Sequence, residues 1–151
     1  MIDLTGKRIL ITGASSGIGK QTAILASELG GHVMLVARRS EQLQATLGEL
    51  SGHGHADYSF DLTDIEGIDG LVARIVEEHG RLHGCVHCAG VGASRPLKML
   101  KPEALEQVMQ INFYAFVELV RSITKKGSFS EGLSIVGISS IAALQGNQGK
   151  V

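Results

Sequence analysis

A doubly wound α/β fold with a parallel sheet is the class this sequence predicts, on three observations. Five apolar strand-like runs alternate with four helix-length amphipathic segments along the 151 residues. A glycine-rich turn stands between the first run and the first helix. No repeat, low-complexity stretch or linker interrupts the alternation. Right-handed crossovers between parallel strands leave few topologies, and strand order 3-2-1-4-5, the Rossmann-like arrangement with helices on both faces, fits best.

The elements follow in order. "KRILIT" (7–12) is the first strand, and the glycine loop 13–19 opens a helix that ends near Leu29, with Gly30 and Gly31 as its stop. "HVMLVA" (32–37) is the second strand, and 41–50 a short helix. "ADYSF" (56–60) is the third strand, and the stretch "DIEGIDGLVARIVEEHG" holds the next helix. "LHGCVHCA" (82–89) is the fourth strand. A long helix starts near Pro102, since proline is tolerated in a first helical turn, and runs to about Lys126. "LSIVGIS" (133–139) is the fifth strand.

Composition narrows the function classes. Hydrophobic residues make up 44% and charged residues 19%, a soluble globular balance for one domain. A net charge of −1 provides no electrostatic footprint for nucleic acid or an anionic membrane. No apolar run approaches a membrane span and the N-terminus does not read as a signal peptide, so a cytoplasmic location is expected. Cys85 and Cys88 are spaced CxxC, but three residues apart on a strand they point to opposite faces, which argues against a disulfide or a shared metal. "HGH" at 53–55 has no evident third ligand nearby.

The chemistry-bearing motif is Thr12-Gly13-Ala14-Ser15-Ser16-Gly17-Ile18-Gly19. Glycines allow a tight turn and close backbone approach. The unpaired N–H groups and the positive dipole end of the helix favour a pyrophosphate there. Ser15 and Ser16 add hydroxyl donors. A P-loop, GxxxxGK(S/T), is rejected, because Ala14 stands where its first glycine belongs and Gln21 where its magnesium-binding hydroxyl belongs.

The spacing GxxxGxG resembles the signature TGxxxGIG of the short-chain dehydrogenase/reductase family, and the resemblance runs over nearly the whole chain. "FDLTD" (60–64) resembles the family's segment after the third strand, which implies Asp61, with Leu62, beside an adenine ring. "CAG" (88–90) resembles the end of the family's NNAG motif and implies Cys88, Ala89 and Gly90 near a cofactor, with His87 and Cys88 replacing the two asparagines. Asn112 falls where the family has its helix asparagine. "ISSIAA" (138–143) resembles the catalytic-serine segment, which makes Ser140 catalytic and Ser139 structural. The resemblance implies hydride transfer between a nicotinamide and a small carbonyl or alcohol substrate, with a 3-oxoacyl thioester as the family-level guess and a sugar or a steroid-like ketone also open. An NAD site usually has an acid at the end of the second strand. Arg38 and Arg39 stand there instead, and guanidinium groups suit a 2′-phosphate, so NADP(H) is the expected cofactor.

On helix 103–125, Leu105, Val108, Met109, Phe116, Leu119, Val120 and Ile123 form an apolar stripe with Asn112 in its middle. An amide on a core face must find partners, which fits a role at the site, the competing reading being a satisfied core asparagine. Phe113, Tyr114 and Val117 make a second apolar flank. That flank, and the family's habit of packing this helix against another subunit, suggest a homo-oligomer. The family's YxxxK acid/base pair lies farther beyond the serine than the 11 residues from Ser140 to Val151, and Tyr58 and Tyr114 have Leu62 and Glu118 at the lysine position. The fifth strand also carries no proline or charge from Leu133 to Ser140 to protect an edge. The expectation is one dinucleotide-binding domain over 1–151, incomplete at its C-terminus and inactive alone. The competing reading is a non-catalytic NADP-binding module or sensor.

Overall fold

The computed structural model describes residues 2–92, 97–141 and 144–145. Its sheet has five parallel strands in the order β3-β2-β1-β4-β5, as expected from the alternation. They are β1 (Arg8–Thr12), β2 (His32–Ala37), β3 (Ala56–Ser59), β4 (Leu82–His87) and β5 (Phe129–Gly137). The helices are α1 (Gly17–Glu28), α2 (Ser40–Leu47), α3 (Ile68–His79), α4 (Pro102–Met109) and α5 (Ala115–Ile123). Gly30, at φ 87°, and Gly31 do end α1, their N–H groups donating to the carbonyls of Ser27 and Ala26. None of the helices described is long and apolar enough to cross a membrane.

Alternation along each strand divides the core. Leu10, Met34, Val36 and Cys85 pack beneath α3 and α5 with Ile68, Ile75, Leu119 and Ile123. Ile9, Ile11, Val33 and Leu35 pack on the other side with Ala23, Ala26 and Leu43 of α1 and α2. Each fully buried Leu or Ile contributes about 1.5–3 kcal/mol relative to exposure. The two cysteines face opposite sides as expected, although β4 ends at His87 and Cys88 follows it: Cys85 is in the first cluster, and Cys88 packs against the second.

Two expectations are corrected. The long helix is not one regular rod: Gln110–Tyr114 forms a π turn between α4 and α5, with the Ala115 N–H bonding the Gln110 carbonyl. The extra residue in that turn rotates the buried face. The residues buried are Ile111, Ala115, Leu119, Ser122 and Ile123, while Leu105 and Met109 are exposed. Asn112 is therefore exposed and does not lie on the core stripe. The second correction concerns β5, which begins at Phe129 and ends at Gly137, with a register shift opposite Leu82 and Gly84. Ser139 and Ser140 follow the strand and do not belong to it. Because all strands are parallel, their C-terminal ends share one edge of the sheet.

Candidate functional site

At that edge the three loop glycines have different tasks. Gly13, at φ 67°, lies so close to β4 that an added Cβ would sit 2.8 Å from the Ala89 nitrogen. At Gly19 the same Cβ would fall on the Gly13 carbonyl, so this residue lets α1 pack against the root of the loop. At Gly17, φ 57°, a Cβ would meet nothing and would project into open space. The first turn of α1 has no acidic residue, and its N-cap Ser16 makes no side-chain cap hydrogen bond. Neither the N-cap nor the first turn thus supplies a side-chain partner to the positive end of the helix.

The loop forms one wall of a groove of about 330 Å³. All thirteen residues singled out for a cofactor line it: the six of the glycine loop, Arg38 and Arg39 after β2, Asp61 and Leu62 after β3, and Cys88, Ala89 and Gly90 after β4. Arg39 reaches across the mouth, donating from Nη2 to the hydroxyls of Ser16 (3.2 Å) and Ser15 (3.3 Å). Arg38 is exposed beside it, its carbonyl accepting from Ser59 Oγ. One oxygen of Asp61 accepts from the Thr63 N–H and hydroxyl, which orients the carboxylate at the groove rim. Leu62 is only 5% exposed and lines the groove from within the core. Burial raises the Cys88 thiol above its ordinary value, with Thr22 opposing the shift through a hydrogen bond, so this cysteine is not an activated thiolate.

The floor is pinned from below. The Thr12 hydroxyl, fully buried, accepts from the Ala89 N–H (3.3 Å) and bonds His87 Nδ1 (2.9 Å). Asn112 does not itself line the groove, but it follows Ile111 and bonds Val91, which both do. Its Oδ1 accepts from the Val91 N–H (2.8 Å) and its Nδ2 donates to the Val91 carbonyl (2.9 Å). This two-way bond ties the π turn to the segment after β4 and satisfies the amide without burial. Ser140 lies exposed past the end of β5, at the same edge of the sheet. Ala142 and Ala143 of its segment are outside the described residues. Ala37, Phe60, Val91 and Ile111 also line the groove and were not anticipated. Each neighbours an expected residue, but an apolar side chain carries no motif of its own.

The groove offers a positive helix end, two guanidinium groups and a carboxylate rim around space that no side chain fills. Such a combination suits a phosphate-bearing group at the end of an open parallel sheet. Residues 7–151 match the short chain dehydrogenase family, and the chain belongs to that family. It is 39% identical over 129 residues to a fatty acyl-CoA reductase of Mycobacterium tuberculosis, a match covering 81% of this chain and 43% of that protein. It is 32% identical over 149 residues to a 3-oxoacyl-[acyl-carrier-protein] reductase of Thermotoga maritima, covering 97% of this chain and 61% of that protein. Among solved structures, an actinorhodin polyketide ketoreductase with NADPH superposes with a TM-score of 0.88 at 29% identity, over 99% of this chain and 59% of that one. The chain thus spans roughly half the length of these relatives.

Proposed function

We propose that this chain carries the nucleotide-binding part of an NADP(H)-dependent oxidoreductase that moves hydride between a nicotinamide and a carbonyl or alcohol carbon. The observation that supports it most is the single groove lined by five separate segments, with Arg38 and Arg39 at the end of β2. The glycine loop and the α1 terminus would hold the pyrophosphate, and Asp61 the adenine side. The two arginines would hold the 2′-phosphate, a task for which forked, permanently charged donors are suited. When bound, the nicotinamide supplies the hydride chemistry. In this reading Ser140 donates a hydrogen bond to the substrate oxygen, and Asn112 holds the turn next to it.

Proton transfer falls to a group other than the two tyrosines of this chain. Tyr58 is buried and donates to Glu78 (2.6 Å), and Tyr114 lies in the π turn against Phe113. Neither lines the groove. The natural chain, in this proposal, continues past Val151 with the tyrosine and lysine. The substrate class it favours is a 3-oxoacyl thioester, in line with the acyl-thioester reductases among the relatives. The exposed flank of Phe113, Tyr114 and Val117 is the proposed contact between subunits of a soluble, cytoplasmic homo-oligomer.

The test is a fluorescence titration of the native protein with NADPH and NADH, alongside its intact mass and reduction of a 3-oxoacyl thioester. Preference for NADPH that is lost in Arg38→Ala/Arg39→Ala supports the reading. Equal binding of both nucleotides by the wild type refutes the cofactor assignment. An intact mass of 16.0 kDa with nucleotide binding but no turnover would favour the binding-module reading.

A further inference from the structure

His87 stands where four segments of the site converge. It is 4% exposed, at the last position of β4. Its Nδ1 bonds the Thr12 hydroxyl at the root of the glycine loop. Its ring lies against Phe116 of α5, centroids 5.3 Å apart and planes inclined by 34°. Its backbone carbonyl accepts from the Ile138 N–H (3.0 Å), two residues before Ser140. Gly137, its partner in the sheet register, leaves room for the same phenyl ring, since a Cβ there would lie 3.2 Å from Phe116 Cζ. The π turn closes the remaining side. Among the described residues His87 Nε2 has no side-chain hydrogen-bond partner, and the Ile111 backbone is the polar group that favours the protonated ring.

The protonation state follows from Thr12. A hydroxyl has one proton to donate. Its oxygen already accepts from the Ala89 N–H, and His87 Nδ1 is the acceptor the structure offers its proton. The imidazole is then neutral with hydrogen on Nε2. A proton added to Nδ1 would make the ring a donor there, so the Thr12 hydroxyl would have to rotate away and its own buried proton would lose its acceptor. Among the described residues no charged side chain contributes to the ring's electrostatics, and Thr12, Ile111 and Phe116 are the groups that meet it. Burial holds the imidazole below its ordinary value, the Ile111 carbonyl opposing.

We propose that His87 is a positioning residue that fixes, in one arrangement, the glycine-loop root, the π turn carrying Asn112 and the strand end leading to Ser140. The NADPH part of its test rests on the nucleotide reading above, but the structural part does not. In the native full-length protein, long-range ¹⁵N–¹H spectra are recorded for the wild type, His87→Asn and His87→Leu, and NADPH affinity is measured from pH 7.5 to 5.5. The expected result is an Nε2–H tautomer in the wild type. In His87→Leu, amide shifts should appear together at Gly13, Val91 and Ile138, with NADPH affinity about tenfold weaker, the scale of one lost buried hydrogen bond. His87→Asn, which keeps an acceptor for Thr12, should recover most of that affinity. It should also lose less affinity than the wild type as pH falls, the 2′-phosphate titration being common to both. If His87→Leu does not fold, Thr12→Val removes the same hydrogen bond from the other side, together with the acceptor of the Ala89 N–H, and is read at Val91 and Ile138, which the Thr12 hydroxyl does not bond. An Nδ1–H tautomer, or shifts confined to β4 with unchanged affinity, would overturn the proposal. Joint shifts in all three segments without any NADPH binding by the wild type would uphold the positioning role and sink the nucleotide reading instead.

Discussion

Three glycines share a left-handed backbone but differ in surroundings, and alanine at each separates conformational strain from contact. Gly6, Gly13 and Gly17 have φ of 70°, 67° and 57°. Left-handed φ costs an L-residue about 1–2 kcal/mol, so all three substitutions begin from that loss. At Gly6 and Gly17 the new methyl meets nothing within 4 Å. At Gly13 it meets the Ala89 nitrogen at 2.8 Å, and Ala89 Cα and the Cys88 carbonyl carbon each at 2.9 Å. These are backbone atoms of a segment itself pinned to Thr12. Reaching ordinary contact requires a shift of roughly 0.5–1 Å, and overpacking of this kind adds about 1–3 kcal/mol. The expected losses from urea unfolding are therefore about 1–2 kcal/mol for Gly6→Ala and Gly17→Ala and about 2–5 kcal/mol for Gly13→Ala. A parallel NADPH titration separates the first two. Gly6 is outside the groove and its variant should bind normally, whereas the Gly17 methyl enters the space proposed for the pyrophosphate and should weaken binding at least about tenfold. Equal destabilisation by all three would refute the close approach of the loop to β4. Normal NADPH binding by Gly17→Ala would refute the placement of the pyrophosphate.

Other consequences are open to measurement. Cys85 is 1% exposed and its thiol is pushed up to about 12 by burial, so alkylation followed by mass analysis should label Cys88 first, and NADPH should slow that labelling because Cys88 lines the groove. Rapid native labelling of Cys85 would contradict the core assignment. Asn112→Ala removes both bonds to Val91 and should cost about 1–2 kcal/mol, with faster hydrogen exchange at the Val91 amide; unchanged exchange would show that the π turn does not depend on this side chain. Burial holds His83 and His87 below the ordinary histidine value, and the Arg8 and Lys7 charges add to the effect at His83. The unfolded chain then binds more protons than the folded one just below pH about 6.5, so stability must fall as pH drops through that range. A urea midpoint as high at pH 5.5 as at pH 7.0 would refute this.

Local rules carried much of the architecture. Apolar runs of strand length, a proline at the first turn of α4 and paired glycines after α1 each act within a few residues, so their meaning survives without neighbours. The glycine loop is legible for the same reason, since a left-handed turn between strand and helix demands glycine wherever it occurs. The two-residue strand period likewise puts Cys85 and Cys88 on opposite faces. What the tertiary structure decided depends on residues far apart in sequence. Helical periodicity placed Asn112 in the core, because a regular 3.6-residue repeat cannot foresee an inserted π turn. That turn accompanies an amide that meets Val91, 21 residues earlier. Arg39 turning to Ser15 and Ser16 and His87 meeting Thr12 across 75 residues follow from parallel strands ending at one edge. One-dimensional pattern names the elements and the glycines, and only the packed sheet brings their ends together into a groove with a pinned floor.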